Sequence, residues 1–195
     1  MSTTAKRAGF SARRDQLLET ATELFYRNGC HTTGIDRILA EAGVAKMTLY
    51  KHFRSKEELV LAASQRFHDQ LREDFQSFVE QGDLSPRQQL LAIFEFMANW
   101  CQKPGFCGCP SINLAVQYPD HADPIHRAAA EHKRIREQFI ANIARQAGAE
   151  KADQLARALM LLIEGATVLR QVTGRSDFVR EAGDAAEVLV SHYLG

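Results

Sequence analysis

Thr33 to Phe53 reads TGIDRILAEAGVAKMTLYKHF. Thr33 can accept a hydrogen bond from the free N–H groups that open a helix, and Asp36, three residues on, can reach back as a capping box. Ile35, Ile38, Leu39 and Ala42 then recur at three-and-four spacing, until Gly43 offers the left-handed conformation that ends a helix at low cost. Past the turn Ala42-Gly43-Val44 a second short helix follows, with Leu49 and Phe53, four apart, facing inward. Met47, Thr48, Tyr50, Lys51 and His52 are left pointing outward. Donors, a cation and a flat ring with no core to fill suit phosphates and base edges.

Helix, glycine-containing turn, helix is the helix-turn-helix pattern, which lays its second helix in the major groove of DNA. Gly43-Val44-x-Lys46-x-Thr48-Leu49-Tyr50-x-His52-Phe53, followed by Ser55-Lys56-Glu57-Glu58-Leu59, resembles the DNA-binding end of the TetR/AcrR family of bacterial repressors. Upstream, Ala21-x-x-Leu24-Phe25 and Gly29 match as well, so the likeness spans roughly residues 12 to 60 and is diffuse beyond. The resemblance implies an all-α homodimer of about nine helices. A three-helix helix-turn-helix head would be joined by a long helix to a C-terminal helical body for ligand binding and dimerisation. It implies repression until a small molecule binds, and a phosphate-contacting role for Lys56. Three positions depart from the family pattern: Gly34 replaces a frequent hydroxyl residue, Leu39 a small one, and Ala45 a capping serine. The bare helix start at Ala45 leaves N–H groups that can take a DNA phosphate. The candidate DNA-binding set is Thr33, Lys46, Met47, Thr48, Tyr50, Lys51, His52 and Lys56.

The chain has 195 residues and zero formal charge, which looks wrong for a DNA binder until the charge is divided. Residues 1–60 hold ten Lys/Arg against seven Asp/Glu, net +3, and the remainder fourteen against seventeen, net −3. Lys6, Arg7, Arg13 and Arg14 near a flexible start could reach phosphates or the minor groove. So uneven but weak a charge speaks against a purely architectural DNA protein. No run of eighteen apolar residues and no signal-peptide pattern occurs, so a cytoplasmic location with no membrane partner is expected. Four cysteines in a reducing compartment argue against structural disulfides. No nucleophile-base set and no glycine-rich phosphate loop can be read, so neither an enzyme nor a cofactor is expected.

Helical periodicity persists to the C-terminus. Ser55 with Glu58 reads as a capping box opening a long helix with Leu59, Ala63, Phe67, Leu71, Phe75 and Phe78 on one face, a natural lever between head and body. The partition expected is 10–60 for the DNA-binding domain, with the motif at 33–52, and 61–195 for the body. Ser85-Pro86 signals a helix start, and the helix after it is apolar almost all round, hence central. Two final apolar helices would pair with their copies across a two-fold axis, with Leu155, Leu159, Leu162, Ala166, Leu169, Ala186 and Leu189 as the dimer interface. Dimerisation also suits a palindromic operator, whose successive half-sites stand about 34 to 36 Å apart.

For a small-molecule effector of unknown identity, the candidate lining is Phe96, Trp100, Cys101, Cys107, Cys109, Asn113, Gln117, Tyr118, His132 and Glu164. Glu164 stands inside an apolar run, where burial demands a partner, and could instead serve the dimer seam. Gly108-Cys109, Ile112-Asn113 and Tyr118-Pro119-Asp120 resemble one branch of the family. An alternative trigger is oxidation or alkylation of Cys107 or Cys109, against the plainer reading of cysteine as a small hydrophobe at a packed junction. His121, His126 and His132 follow the cysteines at spacings that fit zinc poorly, so no metal is expected. Cys30 stands where the family tends to bury an aromatic, and packing is its expected role.

Overall fold

The computed structural model describes residues 3–195, with side chains from Ala12 onward. Among the described residues the chain forms nine helices and no strand. They are α1 (Thr3–Asn28), α2 (Ile35–Ala42), α3 (Lys46–His52), α4 (Lys56–Val79), α5 (Pro86–Gln102), α6 (Pro110–Gln117), α7 (Pro124–Gln146), α8 (Ala152–Thr173) and α9 (Asp177–Leu194). The all-α expectation holds. Two compact units result, one of residues up to Asp69 with Asn113–Ala129, the other of Gln70–Ile112 with Ala130–Gly195.

In the first unit α1, α2 and α3 close on one core. Leu17, Leu18, Ala21, Leu24 and Phe25 of α1 meet Ile38, Leu39 and Ala42 of α2, Leu49 of α3, Phe53, and Leu59, Val60 and Ala63 of α4. Leu114, Ile125 and Ala129 are buried in this same core, with Tyr118 packed against it. Asn113–Ala129, though far beyond residue 60 in the chain, thus contributes apolar side chains to the core of the first unit.

The turn between α2 and α3 follows from Gly43, which takes φ 61°. Its N–H donates to Ala40 O, and that of Val44 donates to Leu39 O at 3.1 Å, the paired bonds of a Schellman stop. The start of α2 differs from the sequence expectation. Gly34 is its cap, with no side-chain bond, and Thr33 is fully buried, its hydroxyl donating to Gly29 O at 2.7 Å. At α4 the Glu58 N–H donates to Ser55 Oγ at 3.2 Å, but the Glu58 carboxylate accepts from Arg54 N, one residue before the expected partner.

In the second unit Ser85 caps α5 with Pro86 in the first turn, as the sequence predicts, and Gln88 completes a reciprocal capping box. The central helix α5 buries Leu90, Ile93, Phe94, Phe96, Met97 and Trp100, and α8 packs against both α5 and α9. That packing corrects the expected dimer face. Leu155, Leu159, Ala166 and Ala186 are buried inside the protomer, while Leu162 and Leu189 are half-buried. Because α8 is apolar nearly all round, its stripe serves the protomer core. Of the seven candidates only Leu169 is exposed, and the open apolar side chains nearby in sequence are Leu161, Val172 and Val188.

Ala45 caps α3 with φ −70° and ψ 145°, the geometry of a capping residue, yet contributes no side-chain acceptor. Ala45→Ser should stabilise the free protein by about 1 kcal/mol or less. Thermal melting of wild type and variant checks this, and an unchanged or lower midpoint counts against it.

Candidate functional site

A seven-residue helix is far too short to persist alone, so α3 depends on its anchors. Leu49 is fully buried and Phe53, just past the helix end, nearly so. With that side pinned, Met47 is 72% exposed and Tyr50 48%, and Lys46 and Lys51 are also exposed. Thr48 is half-buried, its N–H donating to Ala45 O at 2.8 Å. Lys46 Nζ lies 3.6 Å from Asp36 Oδ1 in an exposed pair, which costs little to open. His52 is half-buried, and burial together with the neighbouring positive charges of Arg14 and Lys51 holds its imidazole below the ordinary value. At neutral pH it offers a neutral ring. The resulting face has two cations, a phenol, a hydroxyl, a thioether and an imidazole within two turns.

Other members of the expected set sit differently. Thr33 is occluded, because α1 ends in carbonyls that its hydroxyl satisfies, and it leaves the DNA-contacting set. Lys56 is half-buried and its ammonium donates to His31 O at 3.5 Å, close to the turn after α1. Arg13 and Arg14 belong to helix α1 rather than to a flexible start, and the Arg14 guanidinium stands 5.3 Å above the Phe53 ring. Lys6 and Arg7 lie outside the residues whose side chains are described.

The turn after α1 is tied to the end of α6. Gln117 Oε1 accepts from Cys30 N at 2.6 Å and from His31 N at 3.3 Å, while its Nε2 donates to Asn113 O. The His31 ring returns the contact, Nε2 to Gln117 O at 2.8 Å, and stacks on Tyr118. His126 Nδ1 donates in turn to Tyr118 O at 2.8 Å. Gly29 takes φ 85°, and a Cβ there would come within 3.1 Å of Gln117 Oε1, so glycine suits both the turn and the close approach. Burial pushes the Tyr118 phenol up to about 12 and the Cys30 thiol up to about 11, so both stay neutral.

In the second unit Glu164 Oε1 is 2.5 Å from Lys133 Nζ and 4.0 Å from Arg136 Nη1. Lys133 also donates to Cys109 Sγ at 3.0 Å. Glu164 is thus paired within the protomer through Oε1, while its Oε2 is buried without a hydrogen-bond partner. Arg136 Nη2 meets His132 Nε2 at 3.3 Å, and its guanidinium lies over Phe75. A shallow cleft lies here, lined by Arg72, Phe75, Gln76, His132, Ile135, Arg136 and Phe139. Phe96 and Trp100 are core instead, packed on Phe75 and Phe106. Cys101 and Cys109 are buried and Cys107 is half-exposed; burial pushes the Cys101 thiol up to about 11.

Residues 17–63 match the family described as "Bacterial regulatory proteins, tetR family". Residues 86–185, over half the chain, match the C-terminal domain described as "Transcriptional regulator LmrA/YxaF-like". This chain belongs to the TetR family. The chain is 52% identical over 59 residues to the transcriptional activator FasR of Mycolicibacterium smegmatis, covering 30% of this chain and 27% of FasR. It is 27% identical over 116 residues to the transcriptional repressor NemR of Escherichia coli, covering 59% of this chain and 58% of NemR. The chain thus spans about a quarter to just over half the length of these curated relatives. The TetR-family regulator SCO4454 of Streptomyces coelicolor superposes with a TM-score of 0.88 at 29% identity, over 95% of this chain and 97% of that one.

Within this TetR-family fold the ten effector candidates are divided between the two units. Asn113, Gln117 and Tyr118 belong to the first unit and the others to the second. Of the ten only His132 lines the cleft, which sequence reasoning otherwise missed. A signal existed: Arg136 follows His132 by four on a helix whose stripe is apolar, the same anomaly that singled out Glu164. The clamp at Gln117 carries a direct test. Gln117→Leu strands the Cys30 and His31 N–H groups and should destabilise the protein by about 1–3 kcal/mol. Denaturant titration checks this, and an unmoved midpoint contradicts it.

Proposed function

We propose that this chain is a dimeric transcriptional repressor that binds a palindromic operator through α3 and is released when a small molecule occupies the second unit. The observation that carries the reading is the outward face of α3, where Lys46, Met47, Tyr50 and Lys51 are exposed while Leu49 and Phe53 are sunk in the core. In the major groove Lys46 and Lys51 serve phosphates or guanine edges, and Tyr50 and Met47 supply apolar contact to bases. Lys56 serves a phosphate at the edge of the motif. Leu161, Leu169 and Val172 of α8 with Val188 of α9 offer the apolar surface for pairing two copies. No helix among the described residues is long and apolar enough to cross a membrane, which agrees with a cytoplasmic site of action.

Release requires an effector that prefers the non-binding conformation. A reversal from 1:99 to 99:1 needs a preference of about 5.5 kcal/mol, however tightly the effector binds. Lys51→Ala should weaken operator binding and flatten the slope of log affinity against log salt by about one unit if Lys51 neutralises a phosphate. Titrations of an operator duplex at four salt concentrations measure this, and an unaltered slope removes Lys51 from the contact set.

A second reading, release by oxidation or alkylation, is favoured by half-exposed Cys107 and by the Lys133 ammonium on Cys109 Sγ. Diamide or peroxide should leave operator affinity unchanged if release is reversible binding. A loss of affinity that Cys107→Ser or Cys109→Ser abolishes would replace the effector reading with the thiol one.

A further inference from the structure

The outward face of α3 is mixed in a way that its charge alone does not explain. Successive residues of a helix turn by about 100°, so Met47 and Lys51 stand on the side away from Leu49 and Phe53, the two anchors sunk in the core. Met47 is 72% exposed, more than Tyr50 at 48%, and it lies between two exposed cations, Lys46 and Lys51. An isolated apolar side chain on a protein surface is ordinary. Held outward by two anchors and set between lysines, however, Met47 meets whatever those lysines bring near. Paired cations favour a polyanion, and in the proposed docking that polyanion is the DNA duplex.

Its place along the helix decides what Met47 touches. It is the second residue of α3, and the start of a recognition helix is the part that reaches base edges. Lys51, a turn later, has a stem long enough to carry its ammonium to a phosphate. Tyr50 stands about 100° round the helix from Leu49, on the flank, where its hydroxyl meets the sugar-phosphate backbone. Met47 has no donor, and its thioether is at best a weak acceptor. Pressed against guanine O6 and N7, or against the amino groups of adenine and cytosine, it would strip water from those groups and return no hydrogen bond, which is costly. The C5-methyl of thymine is the apolar group that the major groove displays.

We propose that Met47 reads the C5-methyl of a thymine in each operator half-site and is thereby a specificity-determining residue of this chain. An unbranched side chain with a polarisable sulfur fits itself to a methyl group without a fixed geometry. Any other base at that position meets the same side chain at a cost, so the contact discriminates by sign as well as by strength. This assignment rests on the operator reading and adds to it the identity of one base that α3 selects.

The test begins from an inverted repeat selected out of random duplexes by the full chain. Each thymine of the half-site is replaced in turn, in both half-sites together, by deoxyuridine, which deletes the methyl and leaves every hydrogen-bonding group in place. At one position the loss of two buried methyls should weaken binding about tenfold. Met47→Ala should bind the thymine operator at least as weakly and lose nothing further on replacement at that position, the coupling expected of groups in direct contact. Lys51→Ala should keep the full deoxyuridine effect. Because Met47 is exposed, the alanine variant should melt as wild type does, and the deoxyuridine comparison on wild type stands by itself should it not. The proposal is overturned if no thymine methyl matters, if Met47→Ala retains the deoxyuridine loss, or if Tyr50→Ala alone abolishes it. A selection that yields no repeat sinks the operator reading itself, whereas a repeat indifferent to deoxyuridine sinks only the thymine assignment.

Discussion

Burial of Leu49 and Phe53 is the constraint on which the DNA-facing surface depends. Two apolar anchors four residues apart fix the rotation of a helix of only two turns, and every exposed residue of α3 follows from that rotation. The neighbours make the anchoring possible. Gly43 stops α2 so that the chain reverses within a few residues, and Ile38, Leu39 and Ala42 present the wall that Leu49 fills. A bare cap at Ala45 leaves backbone donors at the start of α3, where a phosphate can take the role that serine plays elsewhere.

A head of some fifty residues has little surface to bury, and small domains of that kind are marginal. This one enlists residues from far along the chain. Leu114, Ile125 and Ala129 enter its core, and the Gln117 amide satisfies backbone donors 87 and 86 residues away at Cys30 and His31. The end of α6 is therefore built into the packing of the DNA-binding unit. Whatever displaces α6 acts on the turn that follows α1, and through it on the core holding α3.

Much of this was legible in the sequence for identifiable reasons. Gly43 and Ser85-Pro86 are local punctuation whose meaning needs no distant partner, and each ends or starts a helix where expected. The outward face of α3 was legible because only two of its side chains could be apolar anchors. Thr33 was misread because a threonine before a helix serves equally as a cap or as a buried donor to the preceding helix, and only the approach of α1 decides between them. The α8 stripe was misread because a helix apolar on nearly all sides has no periodicity to tell a protomer core from a dimer seam. Gln117 and Lys133 owe their roles to partners that the fold alone brings near, so spacing along the chain carried no trace of them.

The central claim, that two copies of α3 read a symmetric duplex through the face left free by Leu49 and Phe53, is tested most directly by selecting binding sites from random duplexes with the intact dimer. The account predicts enrichment of an inverted repeat whose half-sites stand one helical turn, or a multiple of it, apart, and its loss when Tyr50 and Lys51 are both replaced by alanine. Failure to enrich any repeat, or enrichment that survives the double replacement, would contradict it.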